Sequence, residues 1–282
     1  MNRQFDIEEL YSKIIPSVRK NNKDHICTAL KFKEHLQKSE EELINNLEHN
    51  QISYTREYCT KEQVLLTKSD GDFLRNKMYG EWFYNSKYYS QLILKSENCC
   101  YCFIGPVDEL DHFFNKDSNP ELSISNVNLV PSCTKCNKNK KQDAIYLQPY
   151  FESVETYEWL DCDFDWVGFE GKPKPTFSIV HPKTMPQDMF DKLELQLPQK
   201  RLIEQMIKKS TDYISSHWDS WKLQIKSLDN VQTSHENTNT FKLIIETEFN
   251  SKKITYGINS WEYQIYKNLY TKFDEFKKKL NE

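Results

Sequence analysis

The chain has 282 residues, with 38 Lys and Arg against 42 Asp and Glu, a formal net charge of −4. Aromatic residues reach 13% and hydrophobic residues 38%, enough apolar area for a real core, which excludes wholesale disorder. Six glycines in the whole chain leave little room for the Gly-rich phosphate loops of a nucleotide-hydrolysing core. A net-negative protein does not draw nucleic acid from a distance, so any such contact has to come from local segregation of charge. No apolar run approaches the length of a membrane span, and the opening Met1-Asn2-Arg3-Gln4-Phe5-Asp6 lacks a signal-peptide hydrophobic stretch. The expectation is a cytoplasmic protein with no membrane contact.

Up to about residue 96 the apolar spacing is helical. Asp6 to Tyr11 leads into Ile14 and Ile15 and ends near Pro16; Ser39 with Glu42 reads as a capping box in front of Leu43, Ile44 and Leu47. Trp82, Phe83, Tyr88, Tyr89, Leu92, Ile93 and Leu94 form a further helical stretch that runs up to Cys99. From 97 to 145 the periodicity breaks into short extended pieces and a lysine-rich end, which marks a small separate module. Six of the ten prolines then fall between Pro149 and Pro198, so that stretch is predicted to be irregular, with one short strand at Thr176–Val180. Pro198 suits the first turn of a long helix through Leu202, Met206, Ile214 and Trp218. Phe241 to Phe249 and Ile254 to Ile258 read as a strand pair, and a last helix capped by Asn259 and Glu262 runs through Ile265, Leu269, Phe273 and Phe276. The predicted fold class is mainly α within α+β, in three regions: an N-terminal helical region over 1–96, the small module over 97–145, and a mainly helical C-terminal region over 146–282 for substrate or partner contacts. The aromatic stripes at Trp218, Trp221, Trp261, Tyr266 and Tyr270 are read as core rather than as stacking platforms for bases.

The cysteines carry the sharpest signal. Five of eight lie between 99 and 136, and four of these form two Cys-x-x-Cys pairs, Cys99/Cys102 and Cys133/Cys136. Each pair can wrap one edge of a tetrahedral Zn²⁺, so the four thiolates are predicted to hold a structural zinc ion. Cys100 competes for the first ligand position and is read as a spare thiol. A purely structural ribbon needs only a hairpin between its pairs, whereas this one carries Glu109-Leu110-Asp111-His112, then Asn128-Leu129-Val130-Pro131, then Cys136-Asn137-x-x-Lys140.

In that order and spacing, from Cys99 to Lys141, the sequence resembles the HNH endonucleases, which share a zinc-stabilised ββα-metal fold; Asn137 stands where many of them have His. The resemblance implies that His112 is the general base for an attacking water. It also implies that Asp111 and Asn137 hold a catalytic Mg²⁺ or Mn²⁺, and that Asn128 fixes the loop that aims the imidazole. Asn126 is a neighbouring candidate for that last role. The products would be 5′-phosphate and 3′-hydroxyl ends. Lys135, Lys138, Lys140 and Lys141 put four positive charges beside this site with no acid between Ser123 and Gln142, a local patch for the phosphate backbone. The expected substrate is nucleic acid, double-stranded DNA in preference to RNA. Gln148-Pro149-Tyr150-Phe151 with Trp159-Leu160 further resembles HNH proteins of bacterial mobile elements and anti-phage defence systems, whose partners include ABC- or SMC-type ATPases and other defence subunits. Cleavage of RNA or tRNA, and a non-catalytic zinc-ribbon adaptor, are the alternatives. Eight acids and no Lys or Arg between Asp143 and Gly171 suggest a block that folds over the lysines or docks on a basic partner.

Overall fold

The computed structural model describes residues 11–12, 14, 18, 23–49, 59–140, 146–169, 171–229 and 234–282, without the side chains of 169, 228–229 and 234–238. The chain divides into two units, Met1–Ser153 with Leu195–Leu197, and Val154–Glu194 with Pro198–Glu282.

In the first unit, helix α1 (Lys23–Glu48) buries Ala29, Leu36, Glu40 and Leu43 along one stripe, the spacing of a helix with one face on a core. The predicted capping box at Ser39 and Glu42 lies inside this helix and does not start one. Ser39 is fully buried, and Glu42 instead accepts from the backbone N–H of Lys61 at 3.1 Å. The predicted helix ending near Pro16 falls outside the described residues except for Tyr11, Ser12 and Ile14. Thr67 caps α2 (Lys68–Asp72) through a reciprocal capping box with Asp70, and α2 continues into a π-helical stretch, Phe73–Phe83. The wider winding is visible in the Tyr84 N–H donated to the Tyr79 carbonyl at 2.9 Å. It turns Leu74, Met78, Tyr79, Trp82 and Phe83 inward. Helix α3 (Lys87–Ile93), capped by Ser86, buries Tyr88, Tyr89 and Leu92 against the same core.

Strands β1 (Glu109–His112) and β2 (Leu129–Ser132) then pair antiparallel, with Asp111 opposite Val130 and His112 opposite Leu129. Helix α4 (Thr134–Asn139) follows at once, so the chain order is strand, strand, helix. The predicted helical region and the small module are not separate bodies. Leu110, Ile124 and Leu129 sit in one core cluster with Leu36, Met78 and Phe83, and Leu43 joins the cluster around the cysteines.

The second unit is built on a hairpin of β3 (Leu160–Phe169) and β4 (Lys172–Ile179). The strand predicted at Thr176–Val180 is the end of β4. Its partner β3 was hidden in the acidic block: Leu160, Cys162 and Phe164 are buried while Asp161, Asp163 and Asp165 face out, the period-two pattern of a half-covered strand. Gly168 turns the hairpin at φ +59°, where an added Cβ would lie 1.8 Å from the Lys172 carbonyl oxygen, so only glycine fits. After α5 (Gln187–Gln196), the long α6 (Gln199–Asp229) packs on β4. It presents Leu202, Met206, Ile214, Trp218, Trp221 and Ile225 to the core.

The predicted strand pair at 241–258 is instead helix α7 (Ser234–Tyr256). Phe241 and Ile245, four residues apart, are buried, while Leu243 and Ile244 between them are exposed, which is a helical stripe and not an alternating strand. The last predicted helix is two, α8 (Trp261–Thr271) capped by Ser260 and α9 (Phe273–Asn281), broken at Lys272. Asn259 is not the cap. Its side chain accepts from Trp159 and Leu160 N–H and donates to the Tyr157 carbonyl. Trp218, Trp221 and Tyr266 are buried, with Trp221 edge-on to Phe276 at 5.4 Å. Two acids of the block are paired within this unit, Glu158 with Lys267 at 2.6 Å and Asp163 with Lys272. Among the described residues the architecture is mainly helical with two small antiparallel sheets, an α+β fold. Among the described residues no helix is long and apolar enough to cross a membrane.

Candidate functional site

The four predicted cysteines converge. Cys99, Cys102, Cys133 and Cys136 place their sulfurs within 4.8 Å of one another, three of the residues buried and the fourth partly so. A tetrahedron with Zn–S bonds of about 2.3 Å has edges of roughly 3.8 Å, so the cluster could hold a zinc ion with little movement. Cys100 is outside the group.

Local backbone chemistry explains the convergence. In the first pair the chain turns tightly: the Phe103 N–H donates to the Cys99 carbonyl at 2.8 Å, the Cys99 N–H to the Gly105 carbonyl at 2.7 Å, and the Tyr101 N–H to the Cys99 sulfur at 3.4 Å. Phe103 takes φ +60° to close this turn, a left-handed conformation that costs a non-glycine residue about 1–2 kcal/mol. In the second pair Cys133 is the N-cap of α4, its sulfur accepting the Cys136 N–H at 3.4 Å. Thr134 ties the same helix start to Asp108 through its N–H at 2.6 Å and its hydroxyl at 2.9 Å. Gly105 lies against the sulfurs, since a Cβ there would stand 3.3 Å from the Cys133 sulfur. Donation from the Cys136 and Cys99 thiols, and then from the Ile104 and Gly105 N–H groups, pulls the Cys102 thiol far down, while Cys99 and Cys136 are pushed up. Metal binding would displace the protons that the cluster still carries.

Beside this frame, within the first unit, lies a cavity of about 680 Å³ whose lining includes Tyr79, Asp111, His112, Lys116, Asn137 and Lys140. His112 ends β1. One ring nitrogen, Nε2, lies 2.9 Å from the Ser123 carbonyl oxygen, and because a carbonyl only accepts, Nε2 carries the proton and Nδ1 keeps its lone pair. Burial first, and then the nearby Lys116 charge, hold its pKa down to about 4, so the ring is neutral near pH 7. Tyr79 of the π-helical stretch packs edge-on against it with centroids 4.4 Å apart, and the Lys116 ammonium lies 4.8 Å from the Tyr79 ring centre.

Asn128 is fully buried and staples the loop after His112. Its Oδ1 accepts the Phe114 N–H at 2.7 Å, and its Nδ2 donates to the Phe114 and Leu122 carbonyls at 3.1 Å each. Asn126 makes different contacts: its side chain accepts from the Tyr88 hydroxyl at 3.1 Å and its backbone N–H donates to Glu40.

Asp111 and Lys140 differ most from the sequence-derived expectation. The Asp111 Oδ2 accepts the Tyr101 hydroxyl at 2.6 Å and also pairs with the Lys140 ammonium. Lys140, expected on the surface with the other lysines, has a side chain only 3% exposed, because its charge turns inward to these acceptors. Lys135 and Lys138 are exposed, and Lys141 lies outside the described residues. A hard divalent cation needs carboxylate and amide oxygens that are free to coordinate. With its one carboxylate already neutralised by an ammonium, the Asp111–Asn137 set as arranged does not fit a bound Mg²⁺ or Mn²⁺.

Sequence reasoning missed Tyr79, Tyr101 and Lys116. The first two lie 33 and 10 positions from the residues they touch, His112 and Asp111, and no local spacing marks such contacts.

No family model matches the chain, and no solved structure is similar to it. Over 84 residues the chain is 33% identical to Protein ea31 of Escherichia phage lambda, a match that covers 28% of this chain and 28% of that protein.

Proposed function

We propose that the chain is a nuclease of the HNH type that hydrolyses phosphodiester bonds, double-stranded DNA in preference to RNA, with His112 as general base. The observation that carries this reading is the state of His112: a neutral ring, its Nε2–H held by the Ser123 carbonyl and its Nδ1 lone pair left as a base, on a cavity wall next to a four-cysteine frame. A neutral imidazole held in one tautomer can take the proton of a water that attacks phosphorus. The 3′ oxygen then leaves, giving 5′-phosphate and 3′-hydroxyl ends. Asn128 acts as a positioning residue, since it fixes the loop that bears Ser123. Lys116 at the cavity and the exposed Lys135 and Lys138 supply positive charge for the phosphate backbone. The zinc frame holds β1, β2 and α4 together; no step of the reaction is assigned to a divalent cation.

One observation favours a second reading, a zinc-binding adaptor without catalysis: Asp111 is already neutralised by Lys140. Docking of an ATPase or other basic defence subunit on the acidic block is proposed on narrower footing than its eight acids suggest, since Glu158 and Asp163 are paired internally. The deciding experiment incubates zinc-loaded wild type and His112→Ala with supercoiled plasmid and with tRNA, with Mg²⁺, with Mn²⁺ and with EDTA. Cleavage by wild type that falls by roughly 10²–10⁴-fold in His112→Ala, with zinc content and melting unchanged, supports the nuclease. Equal cleavage by both, or none by either, favours the adaptor, and tRNA cut in preference to plasmid reassigns the substrate.

A further inference from the structure

The nuclease reading leaves the Asp111–Lys140 pair unexplained. Lys140 follows Cys136 by four residues and forms the C-cap of α4, so the cysteine frame delivers its side chain to the cavity. The ammonium there meets Asp111 Oδ2, the His112 carbonyl at 2.8 Å, the Phe113 carbonyl at 3.3 Å and the Tyr101 hydroxyl at 3.5 Å. An ammonium has three protons and no acceptor, so the carboxylate and two carbonyls use all it has. Lys140 in this state has nothing left for a phosphate. It occupies Asp111 Oδ2, one of the two carboxylate oxygens a cation could use. A buried carboxylate without a partner is strongly unfavourable, and here a lysine of the same module supplies that partner.

We propose that Lys140 is a built-in counter-ion for Asp111 that competes with a divalent cation, so that the Asp111–Lys140 pair and cation binding at Asp111 exclude each other. The inference deepens the nuclease reading and rests on it for its meaning, but its test needs no nucleic acid. In the paired state Asp111 is satisfied and the cation site is closed. In the other state the lysine swings out, the carboxylate takes the cation, and the released ammonium becomes available to a phosphate. In each state the Asp111 carboxylate faces a cation, so it is never buried without an opposite charge.

The test uses full-length, zinc-loaded protein and Mn²⁺ as the probe. The free-ion signal in electron paramagnetic resonance gives the Mn²⁺ affinity of wild type, Lys140→Met and Lys140→Gln. Removing the ammonium takes the counter-charge from the buried Asp111 carboxylate, which keeps the Tyr101 hydroxyl, so both variants should bind Mn²⁺ at least about tenfold more tightly than wild type, and Asp111→Asn combined with Lys140→Met should lose the gain. Equal or weaker binding in the single variants overturns the proposal. Should they lose zinc or fail to fold, wild type alone decides through reductive methylation read by mass spectrometry, with the exposed Lys135 and Lys138 as internal references. Lys140 should label far more slowly than these without Mn²⁺ and speed up several-fold as Mn²⁺ is added. Fast labelling without Mn²⁺, or slow labelling at every concentration, refutes the exchange. If affinity rises as expected while no nucleic acid is cut, the counter-ion stands and the nuclease falls; the reverse pattern separates them the other way.

Discussion

Asn128→Ala tests whether the loop that aims His112 hangs on one side chain. The substitution strands the Phe114 N–H, 2.7 Å from Oδ1 in the native protein, and takes one donor from each of the Phe114 and Leu122 carbonyls. Phe114 is 2% exposed and Leu122 fully buried, as is Asn128 itself, so water does not easily take over. An unmade buried bond costs about 1–3 kcal/mol for a donor and less for a carbonyl with a second lone pair. With the space left by the amide, the sum is about 3 kcal/mol. For a unit the size of Met1–Ser153 that lowers the melting temperature by roughly 6–12 °C. Calorimetry with saturating zinc measures the shift, and hydrogen exchange at the Phe114 amide localises it. Asn128→Asp keeps the acceptor for Phe114 but turns a carboxylate toward two carbonyls; at pH 7 it should be at least as unstable as the alanine variant, and it should recover in part on acidification. A fall under about 2 °C for Asn128→Ala, with unchanged exchange at Phe114, refutes the stapling argument.

Cys136→Ser should lose the metal and melt the first unit well below wild type, because three thiolates under-coordinate zinc; elemental analysis that finds no zinc in wild type, or equal melting, refutes the site. Lys135→Gln with Lys138→Gln should weaken nucleic-acid binding and lower the slope of log affinity against log salt by about 2; an unchanged slope removes these lysines from the interface. Glu121 is held above the usual carboxylate range, chiefly by burial, although its Oε1 accepts the Thr60 hydroxyl at 2.6 Å. A folded pKa above the unfolded one gives stability that is full below the unfolded value and lost as pH rises through the folded value. Glu121→Gln should therefore gain on wild type between pH 4.5 and 7 in denaturant titrations, and parallel curves would show that the carboxyl is not destabilised by ionisation.

How much was legible in the sequence follows from the range of the forces involved. The cysteine frame was readable because both pairs are shaped by local turns, a Cys99-centred turn and a Cys133 N-cap, which spacing alone encodes. Helix α6 was readable for the same reason, from the regular recurrence of Leu202, Met206, Ile214 and Trp218. In helix α7 β-branched and aromatic residues suit a strand, and the four-residue step between buried Phe241 and Ile245 is what marks the helix. In strand β3 Asp161, Asp163 and Asp165 read as a charge block, while their alternation with buried Cys162 and Phe164 is the signal of a strand. Ser39 and Glu42 show the reverse error, a cap signature met in mid-helix, where Glu42 instead serves Lys61 nineteen residues away.

The candidate site divides along the same line. His112 and Asn128 could be singled out from their positions around two short strands, but the properties that give them chemical meaning come from partners no spacing announces: the Ser123 carbonyl that sets the tautomer, the Tyr79 edge against the ring, the Phe114 and Leu122 carbonyls on the amide. Charge was harder still. Lys138 and Lys140 are two residues apart and read alike, yet one is exposed and the other buried on Asp111. What separates them is that α4 ends between them, at Asn139, so that Lys140 leaves the helix with extended backbone. A lysine-rich helix end therefore gives two kinds of cation, one facing solvent and available to phosphate, the other consumed by the acid it neutralises. Counting both as surface charge overstates the patch and hides the lysine that neutralises Asp111.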